Sequence, residues 1–208
     1  MKRKVGFVFA MKEEAAPLLA RLNLSEAEEE YPGGFFYDGE SVTVGVGDVG
    51  SLAAALCTET LIRRYGCTYI INAGTAGSTG PGLPVGKLVC AGRVFKGDVD
   101  LTVAGYPPYT LPRESTYLYP EQDASLEAVT VRSADRFIGK NDVTEPDLAV
   151  EMEGYAVAFV CTKLGVPYRL YKVISDMVAN NDDDSQQTEN VVPTSEQLAD
   201  FLIRVLAG

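Results

Sequence analysis

Short apolar runs of β type alternate with segments of helical periodicity along the whole chain, and that alternation leaves few architectures open. Residues 5–10 form a compact run rich in Val and Phe. Ala15, Leu18, Leu19 and Leu22 then follow at i, i+3, i+4 and i+7, which reads as strand, turn and amphipathic helix. Residues 35–37 and 41–46 read as hairpin strands across Asp38-Gly39, and Leu52, Ala55, Leu56 and Ile62 share the next helical face. A buried strand is predicted over 69–73, ending at Gly74-Thr75-Ala76-Gly77, and another over 168–175, ending at Asp176; further strands are predicted over 87–95 and 128–132. Helical spacing returns at Val157, Val160, Cys161 and Leu164, and again at Leu198, Phe201, Leu202 and Val205. The pattern predicts an α/β fold with a mixed, mostly parallel central sheet flanked by helices. In such sheets ligands collect at the carboxyl ends of strands, where Glu14, Thr75, Glu153 and Asp176 fall.

The chain has 208 residues, 46% of them hydrophobic, enough for one sizeable core and short for two, so 1–208 is expected to be a single domain. Two stretches lack periodicity. Residues 106–120 are rich in Pro and Tyr, and residues 179–193 are acidic and polar; the latter are expected to form a mobile loop. A calcium site at Asp182-Asp183-Asp184 is the sharper alternative there, but the spacing lacks the EF-hand pattern. The apolar run after Met1-Lys2-Arg3-Lys4 is too short for a signal peptide, and no stretch has the length of a membrane span, so no membrane association is expected.

Composition narrows the chemistry. Histidine is absent, which removes Ser-His-Asp and Cys-His catalysis and the commonest zinc ligand; neither metal nor cofactor is expected. Acid–base work must rest on carboxylates, lysine, tyrosine or water. A net charge of -11 repels nucleic acid and anionic membranes and favours a small, weakly charged substrate. Cys57, Cys67, Cys90 and Cys161 lie in apolar segments without CxxC spacing, and read as buried thiols of a cytoplasmic protein.

Two glycine-rich segments follow predicted strands. Gly45-Val46-Gly47-Asp48-Val49-Gly50 is a literal GxGxxG, yet the acidic residue a dinucleotide site needs about twenty positions on is missing, and a tight strand-to-helix turn explains the glycines as well. Asn72-Ala73-Gly74-Thr75-Ala76-Gly77 is more specific, because a buried strand runs straight into small residues that let a ligand touch backbone.

Four motifs in one order carry a family resemblance. Ala10-Met11-Lys12-Glu13-Glu14 resembles an Ala-Met-x-x-Glu start, and Asn72 to Gly77 resembles an Asn-Thr-Gly-Ser-Ala-Gly loop. Val150-Glu151-Met152-Glu153 matches Val-Glu-Met-Glu, and Ile174-Ser175-Asp176 matches Ile-Ser-Asp. Together they are similar to the 5'-methylthioadenosine/S-adenosylhomocysteine nucleosidases, cytoplasmic enzymes of methionine salvage. The resemblance implies the nucleoside phosphorylase/hydrolase-like fold, a homodimer, a purine nucleoside as the small-molecule substrate, and water as nucleophile.

By the same resemblance Glu14 is the base that activates water, and Asp176 the acid that protonates purine N7. Glu153 grips the ribose hydroxyls with Met152 beside the sugar, Phe137 stacks on the purine and Ile138 contacts its edge through backbone. Thr75 stands near the water, Ala76 and Gly77 line the approach, and Ser175 orients Asp176. Glu151 is read as facing solvent or a neighbouring loop. The chemistry agrees, since cleaving a ribosyl C–N bond passes through an oxocarbenium-like state that needs an acid at the base, a carboxylate at the sugar and water opposite.

Two departures stand out. Lys172 occupies the position near the water where the family commonly has Arg, and 106–120 differs where the 5' substituent is received. Other readings stay open. A purine nucleoside phosphorylase would need a cation just before the second glycine loop, where this chain has Ile71-Asn72-Ala73. A futalosine-type or other purine nucleoside hydrolase would share the acid at the base. A non-catalytic nucleoside-binding protein would have no chemical need for all three carboxylates.

Overall fold

The computed structural model describes residues 3–27, 33–143, 145–178 and 185–207. Among the described residues nine strands form one mixed sheet: β1 (Val5–Phe9), β2 (Ser25–Glu26), β3 (Phe35–Asp38), β4 (Val42–Val46), β5 (Tyr69–Ser78), β6 (Leu88–Lys96), β7 (Glu127–Ser133), β8 (Ala149–Glu151) and β9 (Tyr168–Met177). Four described α-helices flank it: α1 (Lys12–Leu22), α2 (Ser51–Arg63), α3 (Gly154–Leu164) and α4 (Ser185–Ala207). The strand order is β2-β3-β4-β1-β5-β8-β7-β6-β9, and β9 also pairs with β5. β1 runs parallel to β4 and β5, as β9 does to β5 and β7 to both β6 and β8; the β2–β3–β4 meander and the β5–β8 and β6–β9 pairs are antiparallel. The expected α/β class and mostly parallel sheet are therefore what the chain adopts.

The period-two alternation of each strand divides the core into two faces. Phe7, Phe9, Ile71, Tyr171 and Val173 point to one side, where Leu18 of α1 and Leu198, Phe201 and Leu202 of α4 cover them. Val8, Ile70, Leu170 and Ile174 point to the other, against Ala54, Cys57 and Leu61 of α2 and Val157 and Cys161 of α3. The spacings read from the sequence hold for α1, α3 and α4, but not for α2: of the face read as Leu52, Ala55, Leu56 and Ile62, Leu52 is 87% exposed and Leu56 44%, because the helix turns Ala54, Cys57 and Leu61 to the sheet instead. All four cysteines are buried free thiols, and burial pushes the pKa of Cys57 and of Cys161 up to about 12. A third, smaller cluster holds Phe95, Leu148, Val150 and Val178, with Tyr109, Tyr117, Ile138 and Val143 packed on it. Thus 106–120, though irregular, is tied down by rings on Phe95 and by a bridge between Leu118 and Val94.

Three further expectations need correction. β5 does not stop at residue 73 but continues through Gly74-Thr75-Ala76-Gly77 to Ser78, because the whole segment pairs with β9 and its end, Gly77 and Ser78, pairs with β8 as well. β9 likewise continues two residues past Ser175. Residues 185–193 are helix, not loop: α4 starts at Ser185, and Asn190 Nδ2 donates to the Ser175 carbonyl at 2.9 Å, anchoring its polar first half to the sheet. Residues 179–184 of the expected loop, Asp182-Asp183-Asp184 among them, lie outside the described residues. No described helix is long and apolar enough to cross a membrane.

Candidate active site

Glu14 occupies the first turn of α1, immediately beyond the carboxyl end of β1, where the helix dipole favours an acid. Its side chain is buried and turned across to the centre of β5. Oε1 accepts hydrogen bonds from the Thr75 amide (2.7 Å) and the Thr75 hydroxyl (2.8 Å), and Oε2 accepts from the Met11 amide (3.3 Å). The carboxylate can lie so close to β5 because residue 74 is glycine: a Cβ there would stand 3.0 Å from Oε1. Gly77 does the same for the second acid, since its Cβ would stand 3.0 Å from Asp176 Oδ2. The glycines of this segment therefore make room for carboxylates arriving from two other elements.

Asp176 lies on β9 just after a register slip. Ala76 pairs with Ile174 but Gly77 pairs with Asp176, leaving Ser175 as the extra residue. Such an insertion bends a strand and re-aims the side chain beside it. The Ser175 hydroxyl donates to Asp176 Oδ1 at 2.7 Å and lies 3.4 Å from the Ala76 carbonyl, so Ser175 supports the acid from behind.

Glu153 comes from the junction of β8 and α3. Its Oε1 accepts the Gly50 amide at 2.7 Å, at the N-terminus of α2. Burial first, and then the nearby Glu151 carboxylate, push its pKa up to about 7, against the opposing pull of Lys172 and the Gly50 amide. Glu151 itself overturns the expectation that it faces solvent. It is buried, accepting the amides of Glu153 (3.0 Å) and Gly154 (2.7 Å) and the Ser133 hydroxyl, and it pairs with Lys172 Nζ at 2.9 Å. The Ser133 oxygen in turn accepts the Tyr155 amide, so the first N–H groups of α3 are satisfied by these two side chains. Burial alone would raise the Glu151 pKa, but Lys172, Ser133 and the amides outweigh it and hold it below the ordinary value.

Lys172, expected at the water, is placed differently. It is buried on β9, bonded to Glu151 and absent from the cavity wall. Desolvation opposes its charge, yet Glu151, Glu153 and Glu14 together keep its pKa above the ordinary lysine value. Lys172 and Glu151 are each only 2% exposed, so removing one partner leaves an uncompensated buried charge. Lys172→Met is expected to cost about 3–5 kcal/mol in urea unfolding, with Lys172→Arg much closer to wild type; a Met variant of unchanged stability would show that the pair holds nothing in place.

Glu14, Glu153 and Asp176 line a single cavity of ≈ 610 Å³. Met152, Thr75, Ala76, Gly77, Phe137 and Ile138 line it too, so of the expected site residues only Ser175 and Lys172 stand behind the wall. Phe137 presents its ring outward, 72% exposed, while Ile138 is half-buried against the third cluster. Sequence reasoning did not single out Met11, Val49, Val178 and Val191, which supply much of the apolar wall, or the Gly50 amide that holds Glu153. The third glycine of the GxGxxG segment was the available signal for that amide: it precedes α2 and frees an N–H for a carboxylate instead of a pyrophosphate.

Carboxylates on two sides of an apolar cavity, without a cation on its β5 wall, define a site for acid–base cleavage of a small neutral molecule. The chain belongs to the phosphorylase superfamily, whose family model matches residues 4–208. It is 30% identical to a 5'-methylthioadenosine/S-adenosylhomocysteine nucleosidase of Colwellia psychrerythraea, over 99% of this chain and 97% of that one. It is 28% identical to an aminodeoxyfutalosine nucleosidase of Helicobacter pylori, over 84% of this chain and 86% of that protein. Among solved structures, a Helicobacter pylori nucleosidase variant with 5'-methylthioadenosine in its active site superposes with a TM-score of 0.90 at 25% identity, covering 100% of this chain and 99% of that one. The nucleosidase resemblance and the nucleoside phosphorylase/hydrolase fold read from the four motifs are thereby borne out.

Proposed function

We propose that the chain hydrolyses the N-glycosidic bond of purine nucleosides, with 5'-methylthioadenosine and S-adenosylhomocysteine as substrates, releasing adenine and the 5'-substituted ribose. The observation that carries this reading is the convergence of Glu14, Glu153 and Asp176 on one cavity that Phe137 and Ile138 also line. Asp176, steadied by Ser175, donates a proton to purine N7, and Glu14, aligned by Thr75, takes a proton from the attacking water. Glu153 grips the ribose hydroxyls with Met152 beside the sugar. Phe137 stacks on the purine, whose edge meets the backbone of Ile138, and Ala76 and Gly77 let the nucleoside approach β5. Lys172 acts through Glu151, fixing the turn that presents Glu153. Met11, Val49, Val178 and Val191 suit an apolar 5' substituent such as methylthio.

The same reading places the chain in the cytoplasm, in methionine salvage, as a homodimer. Leu52 (87% exposed) and Val103 (100% exposed) are apolar side chains a second copy would cover, and the buried free thiols suit a reducing compartment. Asn72, in the stretch where a phosphorylase needs a cation, bonds the Val8 carbonyl, which favours water over phosphate. The test is to offer 5'-methylthioadenosine, S-adenosylhomocysteine, aminofutalosine and inosine, with and without phosphate, and to follow free base. Phosphate-independent adenine from the first two is expected. Release only from inosine or only with phosphate would refute the assignment.

Glu153 makes a pH prediction. Its folded pKa, about 7, lies above the ordinary value of 4.5, so the free protein holds that proton more tightly than the unfolded chain. The penalty for ionising it is absent below the ordinary value, grows as pH rises through the interval, and is complete above about 7. Glu153→Gln is therefore expected to gain thermal stability relative to wild type as pH is raised from about 5 to about 8. A Tm difference independent of pH would contradict it. The ionised form is also the better acceptor for ribose hydroxyls, so KM should fall over the same interval.

A further inference from the structure

Residues 136–142 leave β7 and carry Phe137 and Ile138 to the cavity. A stacking ring on an exposed loop contributes to binding only if the loop is fixed beforehand, since otherwise the ligand must order it. Asp142 supplies that fixation. Arg136 grips its carboxylate with both terminal nitrogens, Nη1 at 2.8 Å and Nη2 at 2.9 Å, and the Gly139 amide adds a third donor at 3.1 Å. The Asp142 amide returns to the Gly139 carbonyl at 2.9 Å, closing the loop behind its apex. Arg136 also lines the cavity.

Arg132 braces this joint from inside the fold. It is buried on β7, and its Nη1 donates to the Asp142 carbonyl and its Nη2 to the Gly97 carbonyl, each at 3.0 Å. Its guanidinium stands 5.7 Å from the centroid of the Tyr109 ring, and its Nε finds no acceptor among the described residues. A buried guanidinium satisfied mainly by carbonyls is costly to keep. Its position, joining β7, the turn at Gly97 and the base of the 136–142 loop, gives it a reason to be there. The Arg136 guanidinium, then the Gly139 amide, with a smaller contribution from Arg132, lower the Asp142 pKa to about 2, so the clamp stays charged throughout the neutral range.

We propose that Asp142 is a positioning residue for base recognition: held by Arg136 and Gly139 and braced through its carbonyl by Arg132, it sets the depth and tilt at which Phe137 and Ile138 meet the purine. The proposal rests on the nucleosidase reading and goes beyond it. An exposed ion pair alone contributes little to stability, so the clamp's effect belongs in ligand affinity.

The test compares Asp142→Ala, Arg136→Met and the double variant with 5'-methylthioadenosine as substrate. Arg132 is left intact, because its removal could unfold the chain. Asp142→Ala should raise KM about tenfold, the scale of losing one well-placed base stack. kcat should stay within about threefold, the signature of lost uniform binding. Inhibition by free adenine should weaken by the same factor, inhibition by 5-methylthioribose should not change, and neither effect should vary with pH across neutrality. Arg136→Met should do part of this, and the double variant no more than Asp142→Ala. An unchanged KM, or equal weakening of adenine and 5-methylthioribose, would overturn the proposal. A wild-type chain that releases no base would instead sink the nucleosidase reading.

Discussion

Asp176→Asn should slow base release by a factor of about 10²–10⁴ while leaving the nucleoside bound. Asn keeps the shape and can still accept the Ser175 hydroxyl, which now holds Oδ1 at 2.7 Å, but it has no proton to give the departing purine. General-acid catalysis contributes about 10²–10⁴ in rate, and a poor leaving group places the loss at the upper end. Single-turnover assays should show that fall in the chemical step, with equilibrium binding of 5'-methylthioadenosine within about threefold of wild type, since the lost interaction forms only in the transition state. Gly77 leaves space beside Oδ2, so the substitution introduces no clash at that wall. Turnover at the wild-type rate would remove Asp176 as the proton donor.

Glu14→Gln is expected to have a comparable effect for the opposite reason. The Thr75 amide and hydroxyl both donate to Oε1 and orient the carboxylate, so an amide in its place presents an NH2 group either to those donors or to the water. Loss of the base should again cost about 10²–10⁴ in kcat. Because acid and base act on one bond, the Glu14→Gln/Asp176→Asn double variant should be little slower than the worse single one. Additive losses in the double variant would mean that the two groups serve independent steps.

Much of this arrangement is legible in the residues themselves. Strand alternation at Phe7-Val8-Phe9 and Ile70-Ile71, and helical spacing at Leu198-Phe201-Leu202, follow from which side chains must leave water, and the structure sorts them onto the expected faces. Glu14, Glu153 and Asp176 were legible as polar residues at the strand ends where ligands collect, and the roles expected of them came from the resemblance of the four motifs. What remained hidden depends on partners distant in the chain. Gly74-Thr75-Ala76-Gly77 looks like a turn until β9 is placed along it and β8 at its Gly77 end. Glu151 looks like a surface acid until Lys172, Ser133 and the start of α3 converge on it. The first half of α4 has too little apolar surface to announce a helix, and it is anchored through Asn190 to the carbonyl of Ser175, beside the acid.

The most direct test is to run 5'-methylthioadenosine turnover in phosphate-free buffer made with heavy-oxygen water and weigh the sugar product. Acid–base hydrolysis by Glu14 and Asp176 predicts free adenine and 5-methylthioribose carrying one solvent oxygen at the anomeric carbon, with both products formed about 10²–10⁴-fold more slowly by Asp176→Asn. No adenine from the wild-type chain, or a sugar that forms only when phosphate is supplied and leaves as its 1-phosphate, would contradict it.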